Sequence, residues 1–193
     1  MQQLRIAVVG AQGRTGRLIV DAAERAGHSV IGVTRREADA TDAVALRPFV
    51  ERADAVISAV GPSRRSPDGI LERSTRALLD AGADRLVTIS ASGPYTDGDG
   101  FLLARVVKPI FWLFLGGTWR DMLASDALLQ QSDTAWTSMR PPQLTDNPAK
   151  GYRRARGRNV SRGIRITRAD LAAATIQALT DPASVRTSVS VAN

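Results

Sequence analysis

Seven residues near the start of the chain, Gly10-Ala11-Gln12-Gly13-Arg14-Thr15-Gly16, constrain the fold more than any other stretch. Before them, Leu4-Arg5-Ile6-Ala7-Val8-Val9 is a short apolar run with β-branched residues, the pattern of a buried strand. After them, Leu18-Ile19-Val20, Ala22-Ala23 and Ala26 recur at helical spacing as far as Gly27. Strand, glycine-rich turn and helix in this order make the first half of a dinucleotide-binding βαβ unit. Gly10 can turn the chain off the strand without a Cβ clash. Gly13 lets the backbone approach a pyrophosphate, and Gly16 lets the helix pack closely on the sheet. The open N–H groups and the dipole at the helix start favour an anion. The spacing is G-x-x-G-x-x-G, and its strand–turn–helix context gives it weight that a lone glycine triplet lacks.

The rest of the chain alternates in the same way. Ser29–Thr34 reads as strand two, with Arg35-Arg36 at its C-terminal edge, nineteen residues after Gly16. An acidic residue at this place would hold the ribose hydroxyls of NAD. An Arg instead suits a 2′-phosphate, because its guanidinium fork pairs with phosphate oxygens, so NADP(H) is expected over NAD(H). Glu37 lies nearby and works against that preference. A weak helix is expected around Leu46–Val50, strand three over Asp54–Gly61, a polar loop over Pro62–Pro67, an amphipathic helix over Asp68–Gly82 and strand four over Arg85–Ser90. Ligands of such sheets sit at the carboxyl ends of strands, which the sequence reading places near a switch between strands one and four. Gly61, Arg64, Ser90, Ser92 and Tyr95 become site candidates on that ground. Phe101–Gly117 is apolar nearly all round with Pro109 inside, and suits a pocket wall, a lid, a dimer surface or a buried helix. A separate helix is expected over Trp119–Gln131, strand five over Thr134–Arg140, then Pro141-Pro142 and a loop through Gln143-Leu144-Thr145-Asp146. Seven arginines crowd positions 153–168, a solvated surface or a face for an anionic substrate or nucleic acid. Thr167 reads as the N-cap of the last helix and Ser188–Ala192 as a final edge strand. The pattern predicts one α/β domain over residues 1–193, a doubly wound, three-layer α-β-α parallel sheet of Rossmann type.

Composition removes several function classes. There are no cysteines, so disulfides, thiol catalysis and Cys-ligated metals are out. His28 is the single histidine, read as a surface turn residue, which argues against a His-based triad and excludes a His-rich metal site; no metal is expected. No apolar run approaches the length of a membrane span, and the start of the chain lacks a signal-peptide pattern, so a cytoplasmic protein is expected. The net charge of +7 favours anionic partners, a phosphorylated cofactor among them, while no motif supports nucleic-acid binding.

Taken together these motifs resemble the atypical short-chain dehydrogenase/reductase group, and within it the single-domain NAD(P)H-binding branch of NmrA-like and biliverdin reductase B/flavin reductase proteins. The carriers are GAQGRTG at Gly10–Gly16, TRR at Thr34–Arg36, DAVISAVG at Asp54–Gly61, VTISASG at Val87–Gly93, SDTAWTSMRPPQLTD at Ser132–Asp146 and ITRADLA at Ile166–Ala172. The resemblance implies that Gly10, Gly13, Arg14, Thr15 and Gly16, with Gln12 in the same turn, hold the pyrophosphate. It implies that Arg35, beside Arg36, takes the 2′-phosphate and that Asp39-Ala40 lies beside the adenine. Gly61, Arg64 and Ser90 would follow the cofactor, and Pro141, Pro142, Gln143 and Leu144 would flank the nicotinamide. Gln143 replaces a His of the biliverdin/flavin reductase type.

The Tyr-x-x-x-Lys pair of ordinary short-chain dehydrogenases is absent: Ala104 precedes Lys108 by four residues, and Asp146 precedes Lys150. That pair protonates a carbonyl as hydride arrives. Flavins and quinones accept hydride directly, and a hydroxyl such as Ser92 or Tyr95 can supply the proton. The sequence therefore predicts NADPH-dependent reduction of a flavin, quinone or similar conjugated acceptor by a monomer or homodimer. The alternative is a non-catalytic NADP(H) redox sensor that acts on a protein partner. An epimerase or dehydratase on a nucleotide sugar ranks below both.

Overall fold

The computed structural model describes residues 3–62, 68–98, 105 and 108–193. Arg64 and the stretch from Phe101 to Val107, apart from Arg105, lie outside the described residues.

Strands β1 (Arg5–Val9), β2 (Ser29–Val33), β3 (Ala55–Ser58), β4 (Arg85–Ile89), β5 (Ala135–Arg140), β7 (Arg153–Arg156) and β9 (Thr187–Ala192) form one sheet in the order β2-β1-β3-β4-β5-β9-β7. Every pairing is parallel except β7 with β9. Alternating side chains of β1 serve two cores. Ile6 and Val8 join Ile19, Ile57, Met139 and Leu171 beneath α1 (Arg14–Arg25) and α5 (Arg168–Thr180). Ala7 and Val9 join Leu46, Leu78, Leu86 and Trp136 on the other face. There α2 (Ala43–Val50), α3 (Ile70–Asp80) and α4 (Lys108–Gln131) pack. Burial on both faces explains why these strands read as continuous apolar runs. The structure is the expected Rossmann-like α/β fold.

Several details differ from the sequence reading. The chain moves from β1 to β2 on one side and returns to β3 on the other, so the switch lies between β1 and β3 and not next to β4. Helix α4 runs unbroken from Lys108 to Gln131, where two segments were expected. Gly116-Gly117 is carried through. The loop expected after Pro142 instead holds β6 (Gln143–Thr145), paired in parallel with β8 (Arg165–Thr167). Strand β9 is interior, because β7, drawn from the arginine-rich segment, forms the edge beyond it. His28 is buried, not a surface residue, and its Nδ1 accepts the Leu4 N–H at 3.2 Å, tying the turn before β2 to the start of β1.

The C-terminus is fastened at Asp170. Its carboxylate accepts the Thr167 hydroxyl at 2.7 Å, the Lys150 and Gly151 N–H groups at 3.1 Å and the Asn193 amide at 2.9 Å. Thr167 caps α5 as expected, accepting the Asp170 N–H at 3.0 Å. Burial pushes the Asp170 carboxyl up, but the bonds from Thr167, Lys150, Asn193 and Gly151 outweigh it and hold the group below its ordinary range. A depressed folded value stabilises fully above the unfolded carboxyl pKa of about 3.9 and is lost as pH falls towards the folded value. Asp170→Asn is therefore expected to destabilise the protein by about 1–3 kcal/mol at neutral pH. The deficit should shrink below about pH 4. Melting temperatures of both proteins across that range check the sign.

Candidate dinucleotide site

The carboxyl end of β1 delivers the chain into the glycine turn. Gly10 has φ +85°, and its N–H and that of Ala11 donate to the Val33 carbonyl at 2.9 and 3.2 Å. The Ala59 N–H donates to the Val9 carbonyl at 2.8 Å, so β3 leaves the sheet beside the same turn. A Cβ on Gly10 would lie 3.0 Å from the Ala59 oxygen, and one on Gly16 would lie 2.1 Å from the Gly10 oxygen. The turn is a backbone-lined cradle at the switch point.

Helix α1 opens from this turn with Gly13 as N-cap and no side-chain cap. The starts of α2, α3 and α5 are closed. Asp42 caps α2 through Val44 and Ala45, Thr167 caps α5, and Asp121 of α4 accepts the Leu71 and Glu72 N–H groups of α3 at 3.0 and 2.8 Å. Of the starts of α1, α2, α3 and α5, only that of α1 carries neither carboxylate nor hydroxyl. That is what a pyrophosphate requires, and the residues here fit the group.

Gln12, Gly13 and Arg14 are exposed and Thr15 half-buried in this turn. Arg14 and Arg168 both reach the exposed Asp146, Arg168 at 2.6 Å, which draws the segment after β6 onto the glycine turn. At the end of β2, Arg35 and Arg36 are exposed and form no ion pair among the described residues. Glu37, the acidic neighbour, is held on Thr34. Its carboxylate accepts the Thr34 hydroxyl and, at 2.9 Å, the Thr34 N–H, and the hydroxyl bond is the main cause of its lowered pKa. Asp39 is spent on Thr41, accepting its N–H at 2.8 Å and its hydroxyl at 2.9 Å, while Ala40 is half-buried beside it. Gly61 is exposed beyond β3.

The loop after β4 runs along the same edge. The Ser90 N–H donates to the Met139 carbonyl at 2.8 Å and the Ser92 N–H to the Pro141 carbonyl at 2.9 Å, so Ser90–Ser92 lies beside Pro141-Pro142. The Ser90 hydroxyl is buried with no partner among the described residues, an orphan that a bound polar group would satisfy. Gln143 accepts from the Arg165 guanidinium at 3.2 Å, and Leu144 is half-buried against the core.

Tyr95 has company that sequence reasoning missed. Its hydroxyl donates to Asp126 of α4, and the Arg140 guanidinium lies 3.3 Å from its ring centroid. Arg140 also pairs with Asp126 at 2.8 Å, and the Ser138 hydroxyl donates to the same carboxylate at 2.8 Å. Burial, then the Asp126 charge, push the Tyr95 phenol well above its ordinary pKa. Trp119 closes over Gly93, where a Cβ would meet its ring at 2.8 Å. The Asn159 amide donates to the Ser92 and Tyr95 carbonyls at 3.3 and 2.7 Å. An Asp on a helix and an Arg ending the next strand are the only sequence signals for this cluster.

This fold and this glycine-lined, open helix start define a Rossmann protein that binds a nicotinamide dinucleotide. The sequence matches the NAD(P)H-binding family over residues 10–182, and the chain belongs to that family. Solved structures share the fold. A proposed exported protein of Burkholderia pseudomallei is 22% identical with TM-score 0.80, covering 99% of this chain and all of that one. A proposed NADH-flavin reductase of Streptococcus pneumoniae is 20% identical with TM-score 0.76, covering 98% and 99%. The Lactococcus lactis oxidoreductase ylbE is 18% identical with TM-score 0.76, covering 98% and 90%. A curated relative, dTDP-4-dehydrorhamnose reductase of Mycolicibacterium smegmatis, is 43% identical over 54 residues, 28% of this chain and only 16% of that protein's length. Among the described residues no helix is long and apolar enough to cross a membrane, and no group of side chains suits a metal ion.

Proposed function

We propose that the protein is an NADPH-dependent oxidoreductase that reduces a flat conjugated acceptor, a flavin or a quinone, with both ligands held by one domain. The observation that carries this reading is the uncapped, glycine-lined start of α1 with exposed Arg35 at the end of the neighbouring strand. The bound cofactor supplies the hydride. The chain's residues do the rest: the turn Gly10–Gly16 holds the diphosphate, Arg35 with Arg36 the 2′-phosphate, and Asp39-Ala40 flanks the adenine. Gly61 and Ser90 follow the cofactor inward, while Pro141–Leu144 wall the nicotinamide. Ser92 is the hydroxyl that bridges a proton to the acceptor. Tyr95, raised and committed to Asp126, is a poor acid and serves by holding the loop. With no Tyr–Lys pair, an acceptor that takes hydride without concerted carbonyl protonation is the natural one. The flavin reductase name carried by the Streptococcus pneumoniae structure supports the same acceptor class.

Two measurements test this. Purified protein is expected to oxidise NADPH in the presence of a flavin or a quinone; tight NADPH binding with no turnover on any flavin, quinone or dye would favour the redox-sensing alternative instead. Arg35→Glu is expected to weaken NADPH binding by about 10- to 150-fold, from the loss of about 1.5–3 kcal/mol of charge-assisted hydrogen bonding, with little change for NADH. Equal affinities of the unmodified protein for the two cofactors would sink the NADPH assignment.

A further inference from the structure

One exposed carboxylate joins two helix starts. Helix α1 follows the parallel strand β1 and α5 precedes the parallel strand β9, so both helices begin at the carboxyl edge of the sheet, packed side by side. Arg14 is the first residue of α1 and Arg168 the first of α5. Asp146, in the segment after β6, bonds to both. One of its oxygens accepts the Arg14 guanidinium and the other accepts that of Arg168 at 2.6 Å.

A guanidinium at a helix start sits at the positive end of the dipole, where an anion is favoured and a cation is not. Both arginines therefore call for a negative partner. The first turn of α1 holds no acidic residue. Asp170, in the first turn of α5, is committed to Thr167, Lys150, Gly151 and Asn193. Asp146 serves both arginines. Its side chain is 60% exposed and that of Arg14 69%, so their pair is weak and exchanges readily. The Arg168 side chain is only 13% exposed and keeps its place. Two guanidinium groups on the two oxygens of one carboxylate form the arrangement that two oxygens of a phosphate take. It stands beside the uncapped start of α1, where the open N–H groups favour the same kind of ligand.

We propose that Asp146 is a built-in competitor of the dinucleotide: it holds Arg14 and Arg168, and the diphosphate takes both guanidinium groups by displacing it. The inference rests on the reading that the Gly10–Gly16 turn holds the diphosphate, and it adds Arg168 and Asp146 to that site. The arginines bring two positive charges to a group that carries two negative ones, while the displaced carboxylate stays close enough to repel it. Asp146 thus sets cofactor affinity below what the arginines alone would give.

The test titrates NADPH and NADH into the full chain and into Asp146→Asn, Asp146→Glu, Arg168→Gln and the Asp146→Asn/Arg168→Gln double variant. Asp146→Asn keeps the shape and removes the charge. It is expected to tighten both cofactors by about threefold or more at low ionic strength, a gain that shrinks as salt is added. Asp146→Glu keeps the charge and should bring no gain. Arg168→Gln should weaken both cofactors, and the gain from Asp146→Asn should be smaller in its background. Unchanged or weaker binding in Asp146→Asn overturns the inference and makes Asp146 a latch for the β6 segment. An equal gain in Asp146→Glu, unchanged binding in Arg168→Gln, or a gain confined to NADPH, which places Asp146 against the 2′-phosphate, also overturns it. If neither cofactor binds, the dinucleotide reading fails and inorganic pyrophosphate decides the anion place separately. A rise in melting temperature that is larger in Asp146→Asn than in the unmodified protein upholds it, and an equal rise or none overturns it.

Discussion

Gly16→Ala is expected to abolish NADPH binding and to destabilise the fold by about 3 kcal/mol or more. The new methyl would sit 2.1 Å from the Gly10 oxygen, 2.9 Å from the Gly10 carbonyl carbon and 3.1 Å from the Ala11 Cα. All three are backbone atoms, so no side-chain rotation relieves the clash. The turn has no room to retreat. Gly10 and Ala11 are bonded to the Val33 carbonyl, and the far side of Gly10 already approaches Ala59. Relief requires α1 to lift off the sheet, which strips Ile19 and Ala23 from the core and moves the N–H groups proposed to hold the pyrophosphate. Gly117→Ala supplies the contrast. A Cβ there meets nothing within 4 Å and the residue is helical, so the substitution is expected to stabilise by about 0.5–1 kcal/mol. Thermal unfolding and an NADPH titration on both variants check the pair; a Gly16→Ala protein with unchanged melting and affinity would show that the helix is not pinned as described.

The difference between these two glycines also marks what a sequence can carry. The Gly10–Gly16 turn is legible because its strand, glycines and helix are adjacent in the chain and each glycine has a local job. The buried strands β1, β3, β4 and β5 are legible because burial on both faces writes an unbroken apolar run. Strand β7, Arg153-Arg154-Ala155-Arg156, has no such signature. It is an edge strand that owes its conformation to pairing with β9, where Arg153 lies opposite Ala192. Strands β6 and β8 are three residues each, with polar Gln143 opposite Arg165, too short for any period to register. The site divides in the same way. The role proposed for Arg35 rests on its distance along the chain from the glycines. The pairing of Arg14 with Asp146 spans 132 positions and exists only once β6 has folded back over the turn. The switch point lies between β1 and β3 because the chain crosses from β1 to β2 on one side and returns to β3 on the other, an arrangement set by sheet order and not by any local motif.

Asp126→Ala should be the most damaging substitution outside the glycine turn. Asp126 is 3% exposed and Arg140 8%, so their 2.8 Å pair is shielded from water. The same carboxylate accepts the Ser138 and Tyr95 hydroxyls. Its removal strands a buried guanidinium and two hydroxyl groups, a loss of about 3–5 kcal/mol. Replacing both charges with apolar side chains of similar size, as in Asp126→Leu with Arg140→Met, should cost much less, because the penalty lies in the unpaired ion more than in the absent pair. The phenol reports on the same cluster. Burial and then Asp126 raise the Tyr95 pKa while Arg140 lowers it, so in Asp126→Ala tyrosinate should form at lower pH than in the unmodified protein. Under the proposed function the loop of Ser92, Gly93 and Tyr95 faces the acceptor and the Gly10–Gly16 turn holds the diphosphate, so acceptor kcat/KM should fall further than NADPH affinity. An Asp126→Ala protein that melts like the unmodified one, or a double variant that melts no higher than the single, would show that Arg140 finds another partner and that the cluster does not hold the loop.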